Sequence, residues 1–304
     1  MSPAHLKAIA IGVVVLLLAW GASELFSRRP DTTTAAFSLS APATTQVDTI
    51  EITHAADTIV LAKGATAAWT VNGLVAAGPK VAELLAALHD SARPELAAQD
   101  PSSFGRMGVD SASGRMLRIA GGGKTQLRVI IGGHGPGYDA SYLRLPGDAH
   151  VYLWHGGLPG LAERSLDDWR DREIAAVPSE SVAAVDVRRG REHYVLTKRG
   201  TTWSLPSGAP TDSSAVARLL QSFRTLTASG FASQRQADSL RLKRPQRSVT
   251  LRASAGTELV ALTLDSTAGA FWVRRADRPT VYRLDFWQVD QITPSAATLA
   301  RAKR

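Results

Sequence analysis

The same series of residue types occurs twice along this chain, about 135 residues apart, and a repeat of that length dictates architecture before any single element is assigned. Ile50-Glu51-Ile52 corresponds to Val185-Asp186-Val187, and Ile59-Val60-Leu61-Ala62-Lys63 to Tyr194-Val195-Leu196-Thr197-Lys198, both at a spacing of 135. Trp69-Thr70-Val71 answers Trp203-Ser204-Leu205 at 134, so one residue is gained or lost in the intervening turn. Lys80 to Leu85 then matches Ala215 to Leu220 at 135, and Leu88 matches Phe223. Further on, Leu117-Arg118-Ile119 answers Val249-Thr250-Leu251 at 132, and Tyr142-Leu143-Arg144 answers Trp272-Val273-Arg274 at 130, as does Val151-Tyr152 with Val281-Tyr282.

Each copy alternates apolar residues in the manner of short strands and carries one amphipathic helix. Val81, Leu84, Leu85 and Leu88 lie at i, i+3, i+4 and i+7, and Val216, Leu219, Leu220 and Phe223 repeat that stripe, which must pack on a sheet. Asp212 or Ser213 is the predicted N-cap of the second helix. The predicted unit is a β-hairpin ending in a Trp strand, a helix, and a meander of about four strands separated by Gly or Pro turns. The predicted fold class is α+β: an N-terminal transmembrane helix followed by two similar antiparallel-sheet-plus-helix repeats.

Ahead of the repeats, Ala8 to Ala22 is uncharged, and the apolar character continues to Phe26 before Arg28 and Arg29. Ala8 to Phe26 as a helix reaches about 28 Å, close to a bilayer's hydrocarbon thickness. A cleaved signal peptide is the competing reading, but Trp20 would sit three residues before a cut after Ala22, against the small-x-small rule. Lys7 on one side and Arg28 and Arg29 on the other leave orientation undecided by charge. Ser27 to Gln46 is rich in Ser, Thr, Ala and Pro and reads as a tether. The predicted organisation is therefore an anchor over 1–26, a tether over 27–46, a first repeat over 47–157, a charged connecting segment over 158–180 that is helical from Leu158 to Glu173, and a basic second repeat over 181–304. Within the connector, Leu166-Asp167-Asp168-Trp169 resembles Leu284-Asp285-Phe286-Trp287 at a spacing of only 118.

Composition removes whole classes of chemistry. There is no cysteine, so disulfides, thiol nucleophiles and cysteine-ligated metal centres are excluded. The net charge of +8 is uneven: residues 47–165 hold 10 basic and 11 acidic side chains, residues 181–304 hold 20 and 9. A field of that sign favours anionic partners.

Four candidate sites follow. Gly121-Gly122-Gly123-Lys124-Thr125 resembles the end of a phosphate loop, but Arg118 stands where the pattern needs Gly and a strand follows, so a hairpin turn is expected. Gly132 to Asp139 gathers four glycines with His134 and Asp139 into an expected loop, with Gly supplying positive φ. Asp167 and Asp168 could divide acid and base work, although Arg170 and Arg172 interleave with them as on a solvated helix. Arg241, Lys243, Arg244 and Arg247 form a basic string able to meet anionic groups. Nucleic acid is disfavoured there, since no aromatic residue is interleaved. Trp69, Trp203, Tyr142 and Trp272 occupy equivalent strand positions and are expected in the core. No catalytic residue, cofactor site or metal site is assigned.

The Ile50-Glu51-Ile52 start, the Trp69-Thr70-Val71 strand before the Val81 helix, the Gly108-Val109-Asp110 turn, Tyr142-Leu143-Arg144 and the repetition of this series resemble a bacterial family known only as a domain of unknown function, often encoded beside gliding-motility-type ABC transporter genes. The resemblance implies a single-pass inner-membrane protein with a periplasmic body and an accessory role to a transporter; it carries over no catalytic residues. The function expected is a non-catalytic, membrane-tethered envelope module for binding or scaffolding, held in the lipid bilayer through residues 8–26 and partnered by other membrane proteins such as ABC transporter subunits. The alternatives are an envelope enzyme acting on glycan or lipid, and binding of anionic lipid or polymer by the basic second repeat.

Overall fold

The computed structural model describes residues 39, 41–89, 94–137, 139–240, 242, 244–267 and 269–301. The predicted anchor over 8–26 lies outside them; among the described residues no helix is long and apolar enough to cross a membrane. The chain divides into two compact units between Arg164 and Ser165.

In the first unit the order is β1 (Thr49–His54), β2 (Asp57–Lys63), β3 (Trp69–Val71), β4 (Leu74–Val75), α1 (Gly78–Leu88), β5 (Glu95–Ala98), α2 (Phe104–Met107), β6 (Arg115–Gly121), β7 (Lys124–His134), β8 (Ala140–Arg144), β9 (Val151–His155) and α3 (Leu158–Ala162). The second holds α4 (Leu166–Trp169), β10 (Glu173–Ala175), β11 (Ala184–Arg189), β12 (Glu192–Arg199), β13 (Thr202–Ser204), α5 (Ser213–Ser222), β14 (Leu226–Thr227), β15 (Gly230–Phe231), α6 (Gln234–Ser239), β16 (Arg247–Arg252), β17 (Glu258–Thr267), β18 (Ala270–Arg275), β19 (Val281–Leu284), α7 (Phe286–Ile292) and α8 (Ala296–Leu299).

The two main sheets share one strand order, the first carrying β4 as an additional edge strand. The first runs β4-β3-β2-β1-β6-β7-β8-β9-β5, the second β13-β12-β11-β16-β17-β18-β19-β15, and every pairing is antiparallel. Registers agree at equivalent core positions, with a local difference: β7 shifts against β8 between Ile131 and His134, whereas β17 runs against β18 without a shift. Ile50 faces Leu61 and Ile119, and Val185 faces Leu196 and Leu251; Tyr142 faces Leu153, and Trp272 faces Arg283. A one-residue slip would turn every core side chain to the other face, so the same register at these core positions is what a shared pattern of burial requires.

The helix stripes behave as predicted. Val81, Leu84, Leu85 and Leu88 are buried on α1, and Val216, Leu219 and Leu220 on α5 with Phe223 just beyond it. Asp212 caps α5, accepting from the backbone N–H groups of Ser214 (2.8 Å) and Ala215 (3.1 Å). In the second unit this stripe joins Val185, Val187, Leu196, Val249, Leu251 and Val273 in one core. The other face of each sheet is covered locally by a short segment. Met107 and Val109 meet Ile130 and Val151 in the first unit; Leu242 meets Trp272 and Val281 in the second. Alternation along β18 places Phe271 and Val273 in the main core and Trp272 behind it.

Four expectations change. The glycines of Gly132 to Gly135 do not make a loop of positive φ: β7 extends through them to His134, and only Gly137 of the group has a positive φ, at 101°. Gly132 is needed because a Cβ there would lie 2.4 Å from the carbonyl oxygen of Met107. Residues 158–173 are not one helix but α3 and α4, with Glu173 already starting β10. They are also less exposed than their charge implies, since Leu158, Ala162 and Trp169 are fully buried. The match between Leu166–Trp169 and Leu284–Trp287 gives way to another. Ser165 caps α4 and Ser295 caps α8, each helix ends on a buried residue (Trp169, Leu299), and the pairs stand 130 residues apart, the spacing already set by Val151 and Val281. Finally, of the four aromatics expected in the core only Trp272 is buried, covered by Leu242; Trp69 and Trp203, on three-residue strands, are half-buried, as is Tyr142 on the inner strand β8.

Candidate functional site

The sequence-predicted candidates are placed by local structure first. Gly122 and Gly123, with φ of 59° and 73°, form the two-residue turn between β6 and β7, and the Gly122 N–H donates to Asp48 Oδ2 at 2.9 Å. That amide therefore already has an anionic partner. The Asp48 carboxyl is held below the usual carboxylate range by the hydroxyl of Thr49 and by this N–H.

His134 ends β7 with an exposed side chain, its Nε2 3.9 Å from Glu163 Oε1, and His155 Nδ1 lies 3.8 Å from Asp139 Oδ2. Glu163 and His155 are thus the ionic neighbours of the Gly-rich segment. Asp168 accepts from the Ser165 hydroxyl at 2.7 Å and its N–H at 3.2 Å, as an N-cap partner does, and its second oxygen lies 3.4 Å from Arg172. Asp167 pairs with Arg170 at 3.1 Å. Both carboxylates are engaged in helix-end and ion-pair contacts. Among the described residues no group of three His, Asp or Glu side chains is placed to hold a metal ion.

The basic string is divided. Arg241 and Lys243 lie outside the described residues, Arg244 is exposed, and Leu242 is buried against Trp272. Arg247 turns back onto the fold: its Nη1 donates to Asp290 Oδ1 (2.7 Å) and Thr293 Oγ1 (3.0 Å), and its guanidinium lies 5.1 Å from the Phe271 ring centroid.

An open concavity lies on the helical side of the second unit. Its volume is about 720 Å³, between α5, α7 and α8, with Leu219 and Leu299 at its base and Arg218, Gln221, Trp287 and Gln291 along its sides. A hollow of about 170 Å³ continues past Trp287 toward Leu226 and Gln288. Such a volume is typical of ligand and peptide sites. The walls are firmly built. Gln288 accepts from the Asp285 N–H (3.1 Å) at the start of α7 and donates to the Thr227 carbonyl (3.0 Å). At the far end the buried Thr293 hydroxyl donates to the Val289 carbonyl (2.7 Å), and the Tyr194 hydroxyl, its pKa raised by burial, donates to the Pro294 carbonyl (2.6 Å).

Phe286 and Trp287 start α7 and are 57% and 60% exposed, while Val289 and Ile292 of the same helix are fully buried. Phe286 keeps an edge-on contact with Phe271, ring centroids 5.1 Å apart, and Trp287 stands over the groove. Sequence reasoning used this pair only as a string to match. The signal was present: two consecutive aromatics on a helix point about 100° apart, so both cannot share the stripe set by Val289 and Ile292.

Fold and site together define a duplicated α+β protein, two equivalent antiparallel sheets each backed by a helix, with an open helix-lined groove in the second unit. The model of the family described as "Domain of unknown function (DUF4340)" matches residues 69–245 and again 203–303, each match beginning at one of the paired tryptophans, Trp69 and Trp203. The chain belongs to this family and carries its domain in duplicate. No curated protein and no solved structure matches it.

Proposed function

We propose that this protein is a non-catalytic, membrane-tethered module of the bacterial envelope that binds another membrane protein, with an ABC transporter complex as the partner. The observation that carries the binding role is the exposed Phe286–Trp287 pair beside the open groove. Large aromatics left in water beside a concave surface are what a recognition surface supplies, because burying them on a partner releases that unfavourable hydration. The tether rests on the apolar run Ala8 to Phe26 and the Ser/Thr/Pro-rich stretch after it. The transporter rests on the family resemblance of the motifs. The body then lies on the periplasmic side, carried by a single membrane pass.

The candidate acid-base pair Asp167 and Asp168 fits this reading better than the enzymatic one, since both carboxylates are engaged in cap and ion-pair contacts that serve the fold. The test is purification of the full-length tagged chain from its native membrane in mild detergent with identification of the co-purifying proteins. A multi-span permease and its ATPase recovered in stoichiometric amounts is the expected result; the chain recovered alone, or a purified chain that turns over glycan or lipid, would overturn the proposal.

A further inference from the structure

Comparison of the two repeats at equivalent positions separates what the groove owes to the shared fold from what is peculiar to the second unit. In the first repeat Glu83 on α1 forms an ion pair with Arg164, Nη2 to Oε2 2.9 Å, joining the main helix to the end of α3. At the position of Glu83, 135 residues on, stands Arg218 of α5; at the position of Arg164, 130 residues on, stands Pro294. The second repeat has thus reversed the charge on the main helix and removed the side chain that would answer it. Both residues line the groove.

The acidic side chain that lines the groove, Asp290, does not answer Arg218. Asp290 Oδ1 is held by Arg247 at 2.7 Å and by Arg189 at 3.3 Å, and Arg218 makes no ion pair among the described residues. At the same time Gly156 and Gly157, 130 residues before Phe286 and Trp287, have become two exposed aromatics. Where one repeat ties its main helix to the following segment by an ion pair, the other has an open groove bearing a cation and an aromatic wall.

We infer that this groove receives an apolar segment of the partner protein carrying an acidic side chain, whose carboxylate pairs with Arg218 while its apolar residues pack on Trp287 and Leu219. This rests on the reading of the chain as a binding module and names the chemistry of what it binds. Charge complementarity selects the segment, and the apolar wall supplies contact area.

The test uses the full-length chain in its native membrane. A photo-reactive phenylalanine replaces Gln291 or Gln221 in the groove and, as control, Arg235 on α6, away from it; adducts are digested and mapped. The expected adduct from the groove positions, absent from the control, is a protein segment rich in apolar residues with at least one Asp or Glu. Its yield should fall about tenfold or more in Arg218→Glu and stay within about twofold in Arg218→Lys. Trp287→Ala should lower the yield too without changing the unfolding midpoint, since the side chain is mostly in water. Adducts to phospholipid, to a second copy of this chain, or to a segment whose yield ignores Arg218→Glu would overturn the inference. So would the absence of groove adducts while permease and ATPase still co-purify, an outcome that leaves the binding module standing; loss of both would remove the two readings together.

Discussion

At the scale of single residues, close approach of backbones decides more than side-chain chemistry does. Gly132 lies inside β7, where a methyl group would sit 2.4 Å from the Met107 carbonyl oxygen and 2.5 Å from Val109, whereas at Gly133 the nearest atom would be 3.7 Å away. Gly132→Ala is therefore expected to cost about 1–3 kcal/mol, as overpacking of a fixed backbone does, and Gly133→Ala to change stability little; urea unfolding of the two variants checks the contrast. The glycine cluster was visible in the sequence, but its reason was not. Positive φ is a local property that sequence can hint at, while a chain segment from 25 residues upstream pressing on the strand is known only once the fold is formed.

Among the elements, the helices were the most legible and the short connecting pieces the least. A stripe of four apolar residues at helical spacing and an Asp ahead of it fix α5 from the sequence, because the periodicity and the cap are both local. Asp212→Ala should destabilise the chain by about 1 kcal/mol, and Asp212→Asn by less, since asparagine still accepts from the amides of Ser214 and Ala215; thermal unfolding followed by circular dichroism measures both. The connector after Leu158 is legible only in part: its helical character and its ion pairs are local, but its charges mask Leu158, Ala162 and Trp169, which are few, fully buried and spaced for two short helices. The edge strands β5 and β15 gave no signal either. Each is four residues or fewer, and what defines it is the last strand of the meander beside it.

For the whole molecule, the duplicated fold does not imply duplicated behaviour. Asp48, Asp100, Asp110 and Asp148 all have carboxyl groups held below the usual carboxylate range, and all four belong to the first unit. For Asp48 the cause is chiefly the Thr49 hydroxyl; for Asp100 it is the Ser102 N–H, for Asp110 the Ser113 N–H and for Asp148 the His150 N–H. A carboxylate whose folded pKa lies below its unfolded value adds stability that is complete above the unfolded value, near pH 4, and is lost as pH falls through the folded one. These turns should therefore loosen below about pH 4. Limited pepsin digestion between pH 4 and pH 2 is expected to cut first in the first unit, near the turns at residues 100–103, 110–114 and 145–150. Earliest cuts in the second unit would contradict this assignment.

The sequence by itself determined the duplication, the α+β class, the two helix stripes and the cap of the second helix, because each is a local pattern or one of period two, period 3.6 or period 135 written in neighbouring residue types. Tertiary structure decided the common strand order of the two sheets, the equivalence of α4 with α8, and the groove. The physical reason is distance along the chain: Arg218, Trp287 and Leu299 come from three helices spread over some eighty residues, and the ion pair that the second repeat lacks is recognised only when Arg164 is seen to meet Glu83 across eighty-one. A sequence records which side chains exist; folding decides which of them are left facing water together.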